Sequence, residues 1–171
     1  MNTIAGETIG GRMALARWAP TGVRLAVGYG FLAHGLAKAS RGPDAFAAIL
    51  AAIGVPAPHL MSWATIAIEI GGGVAVLLGG FVQLASVPMI AILAVAALTV
   101  HLPYGFSSIK LIAVTAAGAQ FGPPGYEVDV LYIAALVMLA LGGPGPLSID
   151  ALLERRRRRG GDLSRSHLLH R

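Results

Sequence analysis

Four stretches of this chain are dominated by apolar residues, and polar residues collect between them. The first runs from Trp18 to Ala39, WAPTGVRLAVGYGFLAHGLAKA. A helix needs roughly 20 residues at about 1.5 Å each to cross about 30 Å of hydrocarbon, and this stretch is long enough. The next, Leu60 to Leu102, carries a single formal charge, Glu69. As one helix it would be about 60 Å long, too long for one crossing, so it must fold back. Gly79-Gly80 and Pro88 bracket the predicted turn. Spans two and three are therefore Leu60–Leu78 and Phe81–Leu102. The fourth is Tyr126–Leu141, stopped by Gly142-Gly143-Pro144-Gly145-Pro146.

The connections add detail. Phe46, Ile49, Leu50 and Ile53 recur at helical spacing, which predicts a short surface helix over Asp44–Ile53. Leu111–Ala119 is apolar but too short to cross, and reads as interfacial, re-entrant or a lead-in to the fourth span. The first apolar stretch carries Arg24, His34 and Lys38 and no early small-residue cleavage site. It reads as a retained span, not a cleaved signal. The chain then divides into a polar N-terminal tail (1–17), a membrane domain (18–150) and a basic tail (151–171), disordered beyond Gly160.

Composition agrees with the pattern. Of 171 residues 56% are hydrophobic and 12% charged, against about a quarter charged in a soluble domain. So few charges cannot cover the surface of a water-soluble protein of this size. The fold class expected is all-α, an integral membrane four-helix bundle. Cysteine is absent, which excludes disulfides, thiolate metal sites, iron–sulfur clusters and a cysteine nucleophile.

Charge sets the expected orientation. Arg12, Arg17 and Arg24 flank the first span, and Arg155, Arg156, Arg157, Arg158 and Arg159 follow the last. Basic residues beside spans mark the cytoplasmic side. Four spans with both termini cytoplasmic satisfy this, whereas three or five would put one basic end outside. The arginine run is read as facing anionic headgroups, not nucleic acid.

Ionisable groups inside spans cost roughly 2.5–3.5 kcal/mol each at mid-membrane, so their positions are informative. On a helical wheel Arg24, Val27, Gly28, Phe31, His34, Gly35 and Lys38 share one broad face. Glu69 has no partner nearby in sequence. The four-span topology gathers His34, Lys38, Glu69, His101 and Glu127 into the outer half of the bundle. Two readings stand for this cluster: a structural polar tie, or a site for a polar headgroup or proton relay, with Glu69 holding the proton. Gly71, Ala75 and Gly79 form a small-residue stripe on the second span, as do Gly28 and Gly35 on the first, which suits close helix packing. Gly71-Gly72-Gly73 also leaves room for a flat ligand. His34 and His101 lie near helix ends, and nothing in their spacing calls for haem between them. No phosphate-cradling loop, dinucleotide fingerprint or zinc-protease motif occurs.

Four segments carry a resemblance: GYGFLAHGLAKA, AIEIGGGVAVLLGG, the histidine closing span three, and GGPGPLSIDALL before the basic run. From Arg24 to Leu153 the chain resembles the DoxX family of small bacterial four-helix membrane proteins. The resemblance implies a multi-pass protein of the bacterial cytoplasmic membrane. It implies either a membrane subunit like that of a thiosulfate:quinone oxidoreductase, or a tether for redox-detoxification proteins such as a superoxide dismutase and a sulfurtransferase. Under the first, Glu69, His34 and Lys38 are the catalytic candidates. Arg24, His101 and Glu127 bind ligand, and Arg155–Arg159 meet the membrane surface. Quinone is then a substrate, with no intrinsic cofactor and no metal. Partners would be the lipid bilayer, redox partner proteins and further copies of the chain. The alternative is a non-catalytic anchor or scaffold for cytoplasmic proteins; a small-solute transporter would need a dimer. Whether the chain is itself an enzyme stays open. Two features depart from the family pattern: Gln83, where a basic residue is expected between two inner helix ends, and the Ser107–Pro124 segment, which has no evident counterpart.

Overall fold

A computed structural model describes residues 14–158. Arg12, Arg159 and the outer parts of both tails lie outside the described residues.

Helix α1, Ala19–Arg41, starts with Pro20 in its first turn, where a missing N–H costs nothing. It ends at Gly42, whose φ of 92° only glycine adopts freely. Helix α2, Pro43–Ala52, follows directly. Helix α3, Pro58–Leu78, ends at Gly79 in the left-handed region; the Gly79 and Gly80 N–H groups close back on Val76 and Ala75. Helix α4, Val82–Ala96, continues through a π turn, Ala97–His101, and a 3-10 turn, Leu102–Tyr104. Helix α5 is Glu127–Gly142, and helix α6 covers 149–158.

Two expectations are corrected. Pro88 does not mark the turn, because Gly79, Gly80 and Phe81 suffice for it and Pro88 lies inside α4. Helices in membranes tolerate such prolines where neighbouring groups re-satisfy the backbone. Leu111–Ala119 is neither helix nor lead-in: strand β1, Leu111–Thr115, pairs antiparallel with β2, Gly118–Phe121. Gly118, at φ 116°, supplies the turn conformation that a helical reading ignores. The fold is mostly helical, not all-α.

The long helices pack in sequence, α1 on α3, α3 on α4, α4 on α5 and α5 on α1. Each contributes to one core of Val27, Phe31, Val76, Val82, Met89, Leu136 and Leu139. Outside that core the surface is also apolar: Leu84 is 73%, Val87 68% and Leu141 84% exposed. A contiguous apolar exterior is disfavoured in water and suits lipid. Two helical stretches are long and apolar enough to cross a membrane, Pro58–Leu78 and Val82–Tyr104.

Candidate functional site

Glycine builds the site by letting α1 and α3 touch. A Cβ on Gly73 would lie 2.7 Å from the Leu32 backbone nitrogen, and one on Gly28 would lie 2.9 Å from the Gly73 carbonyl oxygen. Gly35 sits against the Glu69 Cβ in the same way, at 2.9 Å. Lys38, one turn beyond Gly35, therefore reaches Glu69, with Nζ donating to Oε1 at 2.5 Å. The lysine side chain is 26% exposed and the glutamate 10%. The second carboxylate oxygen, Oε2, is buried and has no hydrogen-bond partner among the described residues.

Helix α2 covers this pair. Lys38 Nζ lies 5.0 Å from the Phe46 ring centroid, and Ser62 Oγ donates to the Pro43 carbonyl at 2.7 Å. A cation over an aromatic face is favoured, so α2 holds the ammonium in place while α3 supplies its counter-ion.

His34 does not join the pair. It is exposed, and no hydrogen bond or ion pair of its side chain occurs among the described residues. The buried face of α1 is Arg24, Val27, Gly28, Phe31 and Gly35. His34 falls about 80° from the centre of that face, at about 100° per residue. The wheel sets it on the shared side, but only at its edge.

A second polar tie joins α4 to α5. His101 Nδ1 lies 2.6 Å from Asp129 Oδ2, with Asp129 buried. Glu127 does not face His101; its Oε2 accepts the Ser108 N–H at 2.9 Å and so holds the loop. Asp129 was not among the sequence candidates, yet the signal was there. It is an ionisable residue in the first turn of the fourth apolar span, and with Leu136 and Leu139 it is buried.

Arg24 belongs to the opposite end of α1, about 21 Å from Lys38 along the helix. It is 4% exposed, and its Nη2 donates to the Leu147 carbonyl at 2.6 Å. Its Nε and Nη1 have no partner among the described residues. Gly79 leaves the space its guanidinium occupies: a Cβ there would lie 2.2 Å from Nη1. Beside it Asp150 accepts the Phe81 and Val82 N–H groups at 2.9 and 3.3 Å, and the Asp150 N–H donates to the Gly79 carbonyl. GGPGPLSID is thus a clasp over the α3–α4 turn. Gln83, at the start of α4, donates to the Ala140 carbonyl of α5 at 2.9 Å.

On α3 the helix-packing glycines are Gly72, against Met89, and Gly73; nothing lies within 4 Å of a Cβ on Gly71. The contact stripe is therefore not the Gly71–Ala75–Gly79 row. Gly71 instead lines an apolar groove of about 300 Å³ with Gly72, Leu84, Ala85 and Pro88. Arg155 to Arg158 are exposed on α6, with Arg158 paired to Glu154. Among the described residues no three His, Asp or Glu side chains converge as a metal site.

An apolar exterior around part-buried polar ties between helices defines a helical membrane protein. The DoxX family model matches residues 19–102, from the start of α1 through Leu102, and so takes in the Lys38–Glu69 pair. The chain belongs to the DoxX family. No curated protein and no solved structure matches it.

Proposed function

We propose that this protein is a quinone-interacting subunit of a membrane redox system, crossing the bacterial cytoplasmic membrane four times with both termini inside. One observation carries the reading: a carboxylate within the helices, balanced by one lysine, keeps a buried oxygen free. Reduction of a quinone to a quinol takes up two electrons and two protons. The ammonium of Lys38 keeps hydrogens beyond the one given to Glu69, and one of these donates to a quinone carbonyl. Glu69 Oε2, a free acceptor in the resting ion pair, takes a proton from the aqueous side and passes it to a reduced quinone oxygen, once for each of the two electrons. The electrons come from a partner protein, since the chain has no cysteine to hold an iron–sulfur cluster or exchange disulfides. The apolar substrate enters sideways from lipid between helices.

The test is quinone titration of the full-length protein in lipid nanodiscs. Wild type binds saturably. Lys38→Met, which removes the donor to the quinone carbonyl, weakens binding about tenfold or more, the worth of a hydrogen bond to a charged group at about 1.5–3 kcal/mol. Equal affinity for both proteins, or no saturable binding by wild type, rejects the reading.

A second reading has its own support. Helix α6 presents Arg155–Arg158 to solvent directly after the clasp, as a scaffold docking an acidic cytoplasmic protein would. A partner retained equally by wild type and Glu69→Gln, and lost on Arg155–Arg158→Gln, favours this scaffold.

A further inference from the structure

The hairpin between α4 and α5 has two unlike faces, and a β-bulge creates them. Leu111 pairs with Phe121, Ala113 with Gln120, Val114 with Ala119 and Thr115 with Gly118. One extra residue, Ile112, therefore sits in β1 opposite the Phe121–Gln120 step. Directly paired residues point to the same side of a ribbon, and neighbours in one strand to opposite sides. Leu111, Val114, Ala119 and Phe121 then share one face, although strict alternation would set Leu111 and Val114 on opposite faces. Ala113, Thr115, Gly118 and Gln120 make the other. The first face is wholly apolar and uncovered: Leu111 is 58%, Val114 74% and Phe121 61% exposed. The bulged Ile112 is exposed as well.

We infer that this face is a membrane-interface anchor, and that its occupant is the headgroup–acyl boundary of the leaflet at the α4–α5 end. Three observations select lipid. From Leu111 to Tyr126 the chain carries no Asp, Glu, Lys, Arg or His. The hairpin leaves the end of a helix apolar and long enough to cross the membrane, so its base already lies at the interface. That base has the make-up of an interfacial belt: Lys110 lies 6.0 Å from the Tyr104 ring centroid, and Phe106 packs edge-on against Tyr126 at 5.5 Å.

Backbone bonds fix the hairpin's direction. Gly122 N–H donates to Lys110, Gly125 to Ser107, Tyr126 to Gly105 and Glu127 to Phe106. The depth is limited as well. A two-stranded ribbon leaves both outer edges with free N–H and C=O groups, which hydrocarbon cannot satisfy. The hairpin therefore lies flat at headgroup level with one face down. This inference is independent of quinone binding.

The chain has no cysteine, so a single introduced one reports a single position. Val114→Cys and Gln120→Cys, each carrying an environment-sensitive fluorophore, are placed in vesicles of phosphatidylethanolamine and phosphatidylglycerol, with iodide on both sides. The Val114 label is expected to lose intensity to a lipid nitroxide near the headgroup more than to one deep in the acyl chain, and to resist iodide. The Gln120 label is expected to lose intensity to iodide. Phe121→Cys and Thr115→Cys repeat the measurement on the same two faces, so one misfolded variant leaves the test intact. Equal iodide access on both faces with no nitroxide effect overturns the anchor. So does an intermolecular Val114→Cys disulfide without nitroxide quenching, which would show a second copy on this face instead.

Discussion

At the scale of single residues, Lys38 and Glu69 are not equivalent partners. Removing the lysine leaves a carboxylate 10% exposed and without compensation. Removing the glutamate charge leaves an ammonium 26% exposed, on a flexible stem that can reach polar surroundings. Lys38→Met is therefore expected to destabilise the fold by roughly 2–3 kcal/mol, below the 3–5 typical of fully buried pairs because Lys38 is partly exposed. Glu69→Gln is expected to cost less, and Lys38→Met with Glu69→Leu to regain most of the loss. Unfolding in mixed detergent micelles measures all three. A double variant no more stable than Lys38→Met alone would mean that the loss came from packing, not stranded charge. The same asymmetry explains why the two helices come so close: an ion pair across lipid-facing helices is stable only where both chains approach at contact distance.

At the scale of elements, glycine decides the α1–α3 contact and Asp150 the start of α4. Gly73→Val places branched carbons against the Leu32 backbone, which cannot yield as a side chain tip would. We expect a loss of about 1–3 kcal/mol, the usual cost of overpacking, and a weaker Lys38–Glu69 contact with it. Gly71→Val, two residues away and open, is expected to leave stability near wild type in the same micelle assay. If the two variants behave alike, α3 does not meet α1 through the face that carries Gly73. Asp150→Ala removes the acceptor of the Phe81 and Val82 N–H groups, whose own helix has no side-chain cap. A capping loss of about 1 kcal/mol, read as a lowered thermal midpoint, is expected. Much of this layout was legible: helix lengths follow from apolar runs, and α2 from a four-residue helical spacing. What was not legible were contacts between distant segments. Nothing local in GGPGPLSID says that its aspartate caps a helix nearly 70 residues earlier, or that its Leu147 carbonyl takes Arg24. The hairpin was missed because LIAVT is equally apolar as helix or strand. His34 was overread because a helical wheel gives the face but not its width.

At the scale of the whole molecule, polar contacts sort to two levels. Arg24–Leu147, Gln83–Ala140 and the Asp150 clasp lie at the end of α1 where the chain enters, and Lys38–Glu69 and His101–Asp129 towards the other. Between Arg24 and Lys38 lies about 21 Å of helix with His34 as its one ionisable group besides Tyr29. Helix α5 has 16 residues, about 24 Å, less than a typical hydrocarbon core. A span of this length crosses only by thinning the bilayer or by letting its end groups reach headgroups. Helix α5 is therefore the element on which the proposed four-span topology turns, since the hairpin precedes it and the basic helix α6 follows. In intact bacterial cells, a membrane-impermeant maleimide is expected to label Thr115→Cys and to leave Arg156→Cys untouched until the cells are permeabilised. The reverse pattern would invert the orientation set by the arginines, and labelling of both from outside would mean that α5 does not cross. The Thr115 side chain stands on the polar face of the hairpin, so its labelling from water also agrees with the opposite face lying on lipid.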